Sequence, residues 1–216
     1  MYFHFLVEDQ SGAALIEILM EKLIIDVQKN QFKCTHFHGI GGFTRKNTVK
    51  ETRTGKLLND LTTYLKGFNN SLKNIRSAVF IVLDNDDRNT EQFRKELEDV
   101  VSNNFIFIDH VFCIAVEEIE AWLLGDSDAV KQAYPAAKIN VLNSYRQDSI
   151  CGTWEFLADA IYPGGISKFR KDHSSYMEIG EEKTLWAKSI GAHMDIDKNV
   201  SPSFNYFINE ICNRLE

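Results

Sequence analysis

The chain has 216 residues, 44% of them apolar and 25% charged, the composition of a globular domain with a full core rather than of a disordered or membrane-embedded chain. No run of about 18 apolar residues predicts a transmembrane helix. The opening Met1-Tyr-Phe-His-Phe-Leu-Val-Glu8 lacks a basic leader and meets an acid early, so no secretory signal is expected. The formal net charge of -7 disfavours unassisted attraction of a polyanion. Cys34, Cys113, Cys151 and Cys212 are scattered and form no C-x-x-C pair, which argues against a disulfide framework or structural zinc. They read as buried, reduced thiols of a cytoplasmic protein.

In chain order, Tyr2 to Glu8 predicts a buried strand, and Ser11 offers a cap to the helix that follows through Leu15, Ile16, Leu19, Met20 and Leu23. Phe32 to His38 predicts a second strand. A Gly-rich, basic segment from Gly39 to Lys56 predicts a loop, and Leu57 to Phe68 a helix. Ala78-Val-Phe-Ile-Val-Leu83 is apolar at every position, as in a central parallel strand. It ends at the polar turn Asp84-Asn-Asp-Asp-Arg-Asn89, after which Thr90 caps a helix over Glu91 to Val101. Phe105 to Val116 predicts a strand region, and a helix begins at Glu117. This alternation predicts an α/β fold with a mainly parallel sheet flanked by helices over residues 1–125. Beyond that, Asp126 to Tyr134, Thr153 to Tyr162, Glu182 to Met194 and Ser203 to Leu215 predict a helical extension over residues 126–216, packed on the core.

The chemistry concentrates at strand ends. Parallel sheets bind ligands beyond the carboxyl ends of their strands, where Glu8 closes the first strand and Asp84 with Asp86 follows the central one. An Asp-rich turn or a Glu beside a helix start is commonly structural when taken singly. Their joint placement predicts that they converge if the strands are neighbours. Converging carboxylates repel unless a cation neutralises them, and oxygen-only ligands suit Mg²⁺ or Mn²⁺. Asp87 is a further metal candidate, and Glu118 and Glu120 are further catalytic candidates, because Val116-Glu-Glu-Ile-Glu120 begins at the same predicted edge. His36 and His38 alternate on a strand and read as structural or substrate-facing. His193 and Asp195 stay open between a loop contact and a part of the site.

Two basic segments are candidate nucleic-acid contacts: Arg45, Lys46, Lys50, Arg53 and Lys56 in the first, and Lys168 beside Arg170 and Lys171 in the second. The first follows the turn of Gly39, Gly41 and Gly42, which favours function over mere solvation. For the second, the two readings weigh equally.

A Glu after the first strand followed by Asp-x-Asp after a later one resembles the Toprim signature of type IA and II topoisomerases, bacterial primases and overcoming-lysogenization-defect nucleases. More closely, the chain resembles a Toprim-like bacterial family through Leu6-Val-Glu8, Ile81-Val-Leu-Asp-Asn-Asp-Asp87, Ala115-Val-Glu-Glu-Ile-Glu-Ala-Trp-Leu-Leu-Gly-Asp126, Gly191-Ala-His-Met-Asp195 and Ser201-Pro-Ser-Phe204. The resemblance implies a Toprim-like, Rossmannoid fold, Mg²⁺-dependent endonuclease activity, and a partner ABC-type or AAA-type ATPase in a phage-defence pair. Nucleic acid, DNA before RNA, is the implied substrate; no membrane is expected, and a homo-oligomer is compatible. Asp9 stands where Toprim proteins usually carry Gly, which sets either a further metal ligand or an obstacle to substrate beside Glu8. Two rivals stay open: a non-catalytic regulatory subunit of the ATPase, and a receiver-like phosphoacceptor domain. The second lacks its expected Lys after the late strand, which runs into Val116-Glu117.

Overall fold

A computed structural model describes residues 1–24, 26, 28–44, 49, 53–147 and 152–215. Four parallel strands form one sheet: β1 (Tyr2–Val7), β2 (Gln31–His36), β3 (Ser77–Asp84) and β4 (His110–Ala115), in the order β2-β1-β3-β4. The sheet is parallel because each strand returns through a helical crossover: α1 (Gln10–Leu23), α2 (Leu57–Ser71) and α3 (Thr90–Asn103). The expected α/β sheet flanked by helices is present. β1 and β3 are its central strands and are buried along nearly their whole length, as their unbroken apolar runs require.

Side-chain alternation divides the core in two. Leu6, Val79, Ile81, Leu83, Phe112 and Ile114 face α2 and α3. Phe3, Phe5, Val7, Phe80, Val82 and Cys113 face α1 and the C-terminal helices. Those helices are α4 (Glu120–Leu124), α5 (Ser127–Ala133), α6 (Ile139–Leu142), α7 (Thr153–Ile161), α8 (Gly165–Asp172), α9 (Tyr176–His193) and α10 (Pro202–Leu215). Trp122, Phe169, Trp186, Phe204 and Phe207 join the same apolar cluster as the sheet, so the C-terminal helices close the core on that face. Gly12 lets α1 approach β1: a Cβ there would stand 2.9 Å from Val7 Cγ1.

Several boundaries differ from expectation for identifiable reasons. Asp9, not Ser11, caps α1; its Oδ1 accepts from the Gly12 amide at 2.8 Å and its Oδ2 from the Ser11 hydroxyl at 2.8 Å. Asn89, not Thr90, caps α3. β4 begins only at His110, because Phe105 adopts a left-handed conformation (φ 53°) just after α3. The helix expected from Glu117 starts at Glu120, because Glu117 is itself left-handed (φ 69°). α9 starts earlier than its apolar pattern indicates, at a capping box of Ser175 and Glu178. Among the described cysteines none forms a disulfide; Cys113 is buried as expected, but Cys34 is only half-buried and Cys212 is exposed, and Cys151 lies outside the described residues. No helix among the described residues is long and apolar enough to cross a membrane.

Candidate functional site

β1 and β3 pair in the register Val7↔Val82, so their carboxyl ends lie side by side. The chain leaves both strands in a way that fixes Glu8 against Asp84. The Glu8 amide still donates to Val82 O (3.1 Å), and the Glu8 Oε2 accepts from the Asp84 amide (3.0 Å). The neighbouring turns are tied likewise: the Asn85 amide donates to Ala115 O (3.0 Å) and the Asp86 amide to Glu117 O (2.9 Å). This pairing continues the β3–β4 ladder beyond its end and holds Asp86 (φ 49°) and Glu117 (φ 69°) in left-handed backbone. Such backbone costs a non-glycine residue about 1–3 kcal/mol and clusters at functional sites. The turn, rather than side-chain alternation along an extended segment, brings Asp86 round to Asp84.

Glu8, Asp84, Asp86 and Glu118 line one open cleft of about 680 Å³, together with Asp9, His36, His38, Trp154, Tyr176 and Lys183. Asp87 faces an adjoining hollow of about 250 Å³ with Asp86, Glu117 and Glu118. Glu120 is fully buried behind the cleft. The sequence-predicted acids therefore gather at one sheet edge, in three tiers of depth. Asp9 is committed to capping α1, so it lends negative charge to the cleft while its oxygens are already engaged.

The electrostatics follow from burial and crowding. Burial, then repulsion from Asp86 and Asp9, pushes the Glu8 carboxyl from 4.5 up to about 7, against the opposing hydrogen bond from the Asp84 amide. Burial and the Glu8 carboxylate beside it hold Asp84 well above the usual aspartate range. Glu120 is pushed up to about 7, chiefly by burial. Two cations answer these charges. Arg88 meets Asp86 Oδ2 at 2.6 Å, and Lys183, on α9, meets Glu120 Oε2 at 3.1 Å and Glu118 Oε1 at 3.7 Å. Burial opposes the Lys183 charge, but Glu120, Glu118, Asp84 and Asp9 outweigh it and hold the ammonium well above the usual lysine range. Glu118 Oε2 accepts from the Thr153 hydroxyl (3.0 Å) and the Trp154 amide (3.1 Å).

Lys183 is the functional-site residue that sequence reasoning missed. It stands 99 positions from Asp84 in a chain where no spacing connects the two. What delivers it is α9 lying along α1, fastened where Lys22 Nζ donates to Gly191 O (2.7 Å), Ala192 O (3.0 Å) and Met194 O (2.7 Å). Tyr176, Met177 and Trp154 at the rim likewise carry no signal in the sequence.

The remaining candidates are elsewhere. Lys56 reaches the carboxyl end of β2, where its Nζ donates to His38 O, so one cation of the basic segment stands at the cleft's border. Arg53 lies over the Tyr64 ring at 4.2 Å, beyond the cleft. Arg45, Lys46 and Lys50 lie outside the described residues. Lys168 pairs with Asp172 at 2.6 Å on α8 and does not line the cleft. His36 and His38 form the wall facing the rim of α9, with ring centroids 6.2 Å apart. His193 and Asp195 are not at the cleft. Asp126 instead ties that segment down: its Oδ1 accepts from the Ala129 amide (3.0 Å) and its Oδ2 from the Asp195 amide (2.8 Å). Trp122 Nε1 donates to Ser203 Oγ (2.9 Å), and Asn199 Nδ2 to Trp122 O (2.7 Å). Within Ala115 to Asp126 the second half is thus structural, and the first half carries the acids.

The sequence profile of a family described as a domain of unknown function (DUF4276) matches residues 7–212. No curated protein and no solved structure matches the chain.

Proposed function

This chain belongs to the DUF4276 family, whose profile spans nearly all of it, and on that footing we propose that it is a metal-dependent phosphodiesterase acting on nucleic acid, DNA in preference to RNA. The observation that carries the reading is the cleft in which Glu8, Asp84 and Asp86 stand together at the ends of neighbouring parallel strands. Burial and crowding raise the first two, a cost of ionisation that a bound cation would relieve. The donor set fits Mg²⁺ or Mn²⁺, because every first-choice ligand is a carboxylate oxygen. Among the described residues no group of three Asp, Glu, His or Cys side chains is placed to hold a metal ion; an ion held by Glu8 and Asp84 would take its other ligands from water, and Asp86 would join only by leaving Arg88. Asp87 lies one step further out. A bound divalent cation would supply an acidic water and neutralise charge on a phosphate.

The chain's own groups do the rest. His36 and His38 line the opposite wall, where ring N–H groups can face phosphate oxygens. Lys56 at the border offers positive charge to a nucleic-acid backbone. With a net charge of -7 the chain has little long-range attraction for a polyanion. We therefore assign substrate delivery to a partner, an ABC-type or AAA-type ATPase as the sequence resemblance implies, in an antiviral defence pair.

The test is cleavage of DNA and RNA with Mg²⁺ or Mn²⁺, by the chain alone and with an ATPase encoded beside it. The proposal expects weak cleavage alone, strong cleavage with the partner, and loss in Glu8→Ala. No cleavage in either setting would select the regulatory-subunit reading. Lys183 near Asp84 favours one further reading, the phosphoacceptor, which otherwise lacks its lysine. Stable labelling of Asp84 by acetyl phosphate would select it.

A further inference from the structure

Resting on the metal reading above, we infer that Lys183 takes the place of a second divalent cation, so that the acidic cluster holds one metal ion per chain and Glu118 and Glu120 serve the lysine instead. The acids fall into two groups with different commitments. Glu8, Asp84 and Asp86 open onto the cleft; Glu8 accepts a hydrogen bond from the Asp84 amide, and Asp86 pairs with Arg88 on the half-exposed side. Glu118 and Glu120 are already engaged. Glu118 gives one oxygen to Thr153 and Trp154 and the other to the Lys183 ammonium. Glu120 is fully buried; its Oε2 stands 3.1 Å from the Lys183 ammonium, the one cation paired with it among the described residues. A buried carboxylate left without its cation is strongly disfavoured, so these contacts are not readily given up.

Lys183 itself has little freedom to leave. Its side chain is 13% exposed, and it rides on α9, which is fixed by a capping box at one end and by Lys22 at the other. A structural ion pair needs one acid, whereas Lys183 feels four: Glu120, Glu118, Asp84 and Asp9. It also lines the same cleft as Glu8. A second divalent ion among Glu118, Glu120 and Asp84 would have to sit within a few ångströms of the ammonium, where two cations repel strongly in a poorly solvated site. The ammonium thus supplies a fixed positive charge on one side of Asp84 and leaves the other side for a metal.

The experiment counts Mn²⁺ bound by the purified full chain, from the loss of the free-ion signal in electron paramagnetic resonance. The wild type is expected to bind one ion per chain and Lys183→Met two. Adding Glu8→Gln and Asp86→Asn to Lys183→Met should return the count to one. Should Lys183→Met fail to fold, Glu118→Gln in the otherwise wild-type chain carries the test: the count stays at one, and a fall to zero would overturn the inference. Two ions in the wild type, or one in a folded Lys183→Met, would also overturn it while leaving the metal reading intact. No ion in the wild type would overturn the metal reading, and this inference with it.

Discussion

Glu8→Gln should stabilise the metal-free protein at alkaline pH and leave it unchanged in acid. Folding moves the Glu8 carboxyl from 4.5 to about 7. A carboxyl that holds its proton more tightly when folded favours the native state only while protonated. Below about pH 4.5 both states carry the proton and Glu8 costs nothing. As pH rises toward 7 the unfolded chain releases it first, and above 7 the native state must bear a buried, crowded carboxylate. One unit of displacement corresponds to about 1.4 kcal/mol, so the full cost is on the order of 3 kcal/mol. Glutamine keeps the shape and an oxygen for the Asp84 amide, and its amide can donate toward Asp84 or Asp86. For a chain of this length each kcal/mol moves the melting point roughly 2–4 °C. Thermal melts in EDTA should therefore show Glu8→Gln melting on the order of 6–12 °C above wild type at pH 8, with the two coinciding at pH 4. Equal melting points at pH 8 would refute the reasoning, because Glu8 would then not be an unneutralised buried charge.

Millimolar Mn²⁺ should raise the melting point of the wild type at pH 8, because ligand that binds only the native state stabilises it; Asp84→Asn with Asp86→Asn should abolish the shift in the same calorimetric scan. Arg53→Glu with Lys56→Glu should weaken nucleic-acid binding and lower the slope of log affinity against log salt by about 1 for each phosphate no longer neutralised, read by fluorescence anisotropy. Asp126→Ala should cost about 2 kcal/mol in urea unfolding, since it strips a buried cap from the Ala129 and Asp195 amides, yet leave the Mn²⁺-induced shift of the melting point unchanged.

The sheet and its acidic edge are legible in the sequence because they rest on local signals. The apolar run of Ala78 to Leu83 marks a doubly covered strand, and an acid directly after such a strand stands at the edge where parallel sheets bind ligands. Convergence of Glu8 with Asp84 requires β1 and β3 to be neighbours, and they are. What the sequence hides depends on backbone detail or on long-range packing. Glu117 carries the composition of a helix start but adopts left-handed backbone because its carbonyl is held by the Asp86 amide. Asp126 looks like one more acid of the motif; only the arrival of Asp195 beside it makes it a structural tie. Asp9 looks like an extra ligand, yet local geometry turns it into the α1 cap. Lys183 is the extreme case, a lysine among glutamates on a helix whose role is set wholly by where α9 docks on α1.

A crystal soaked in Mn²⁺ and measured at the manganese edge tests the central claim most directly. The account predicts an anomalous peak in the cleft beside the carboxylates of Glu8 and Asp84, on the side of Asp84 away from Lys183. A fully soaked crystal with no peak between Glu8 and Asp84, or with manganese bound only at other surfaces, would contradict it.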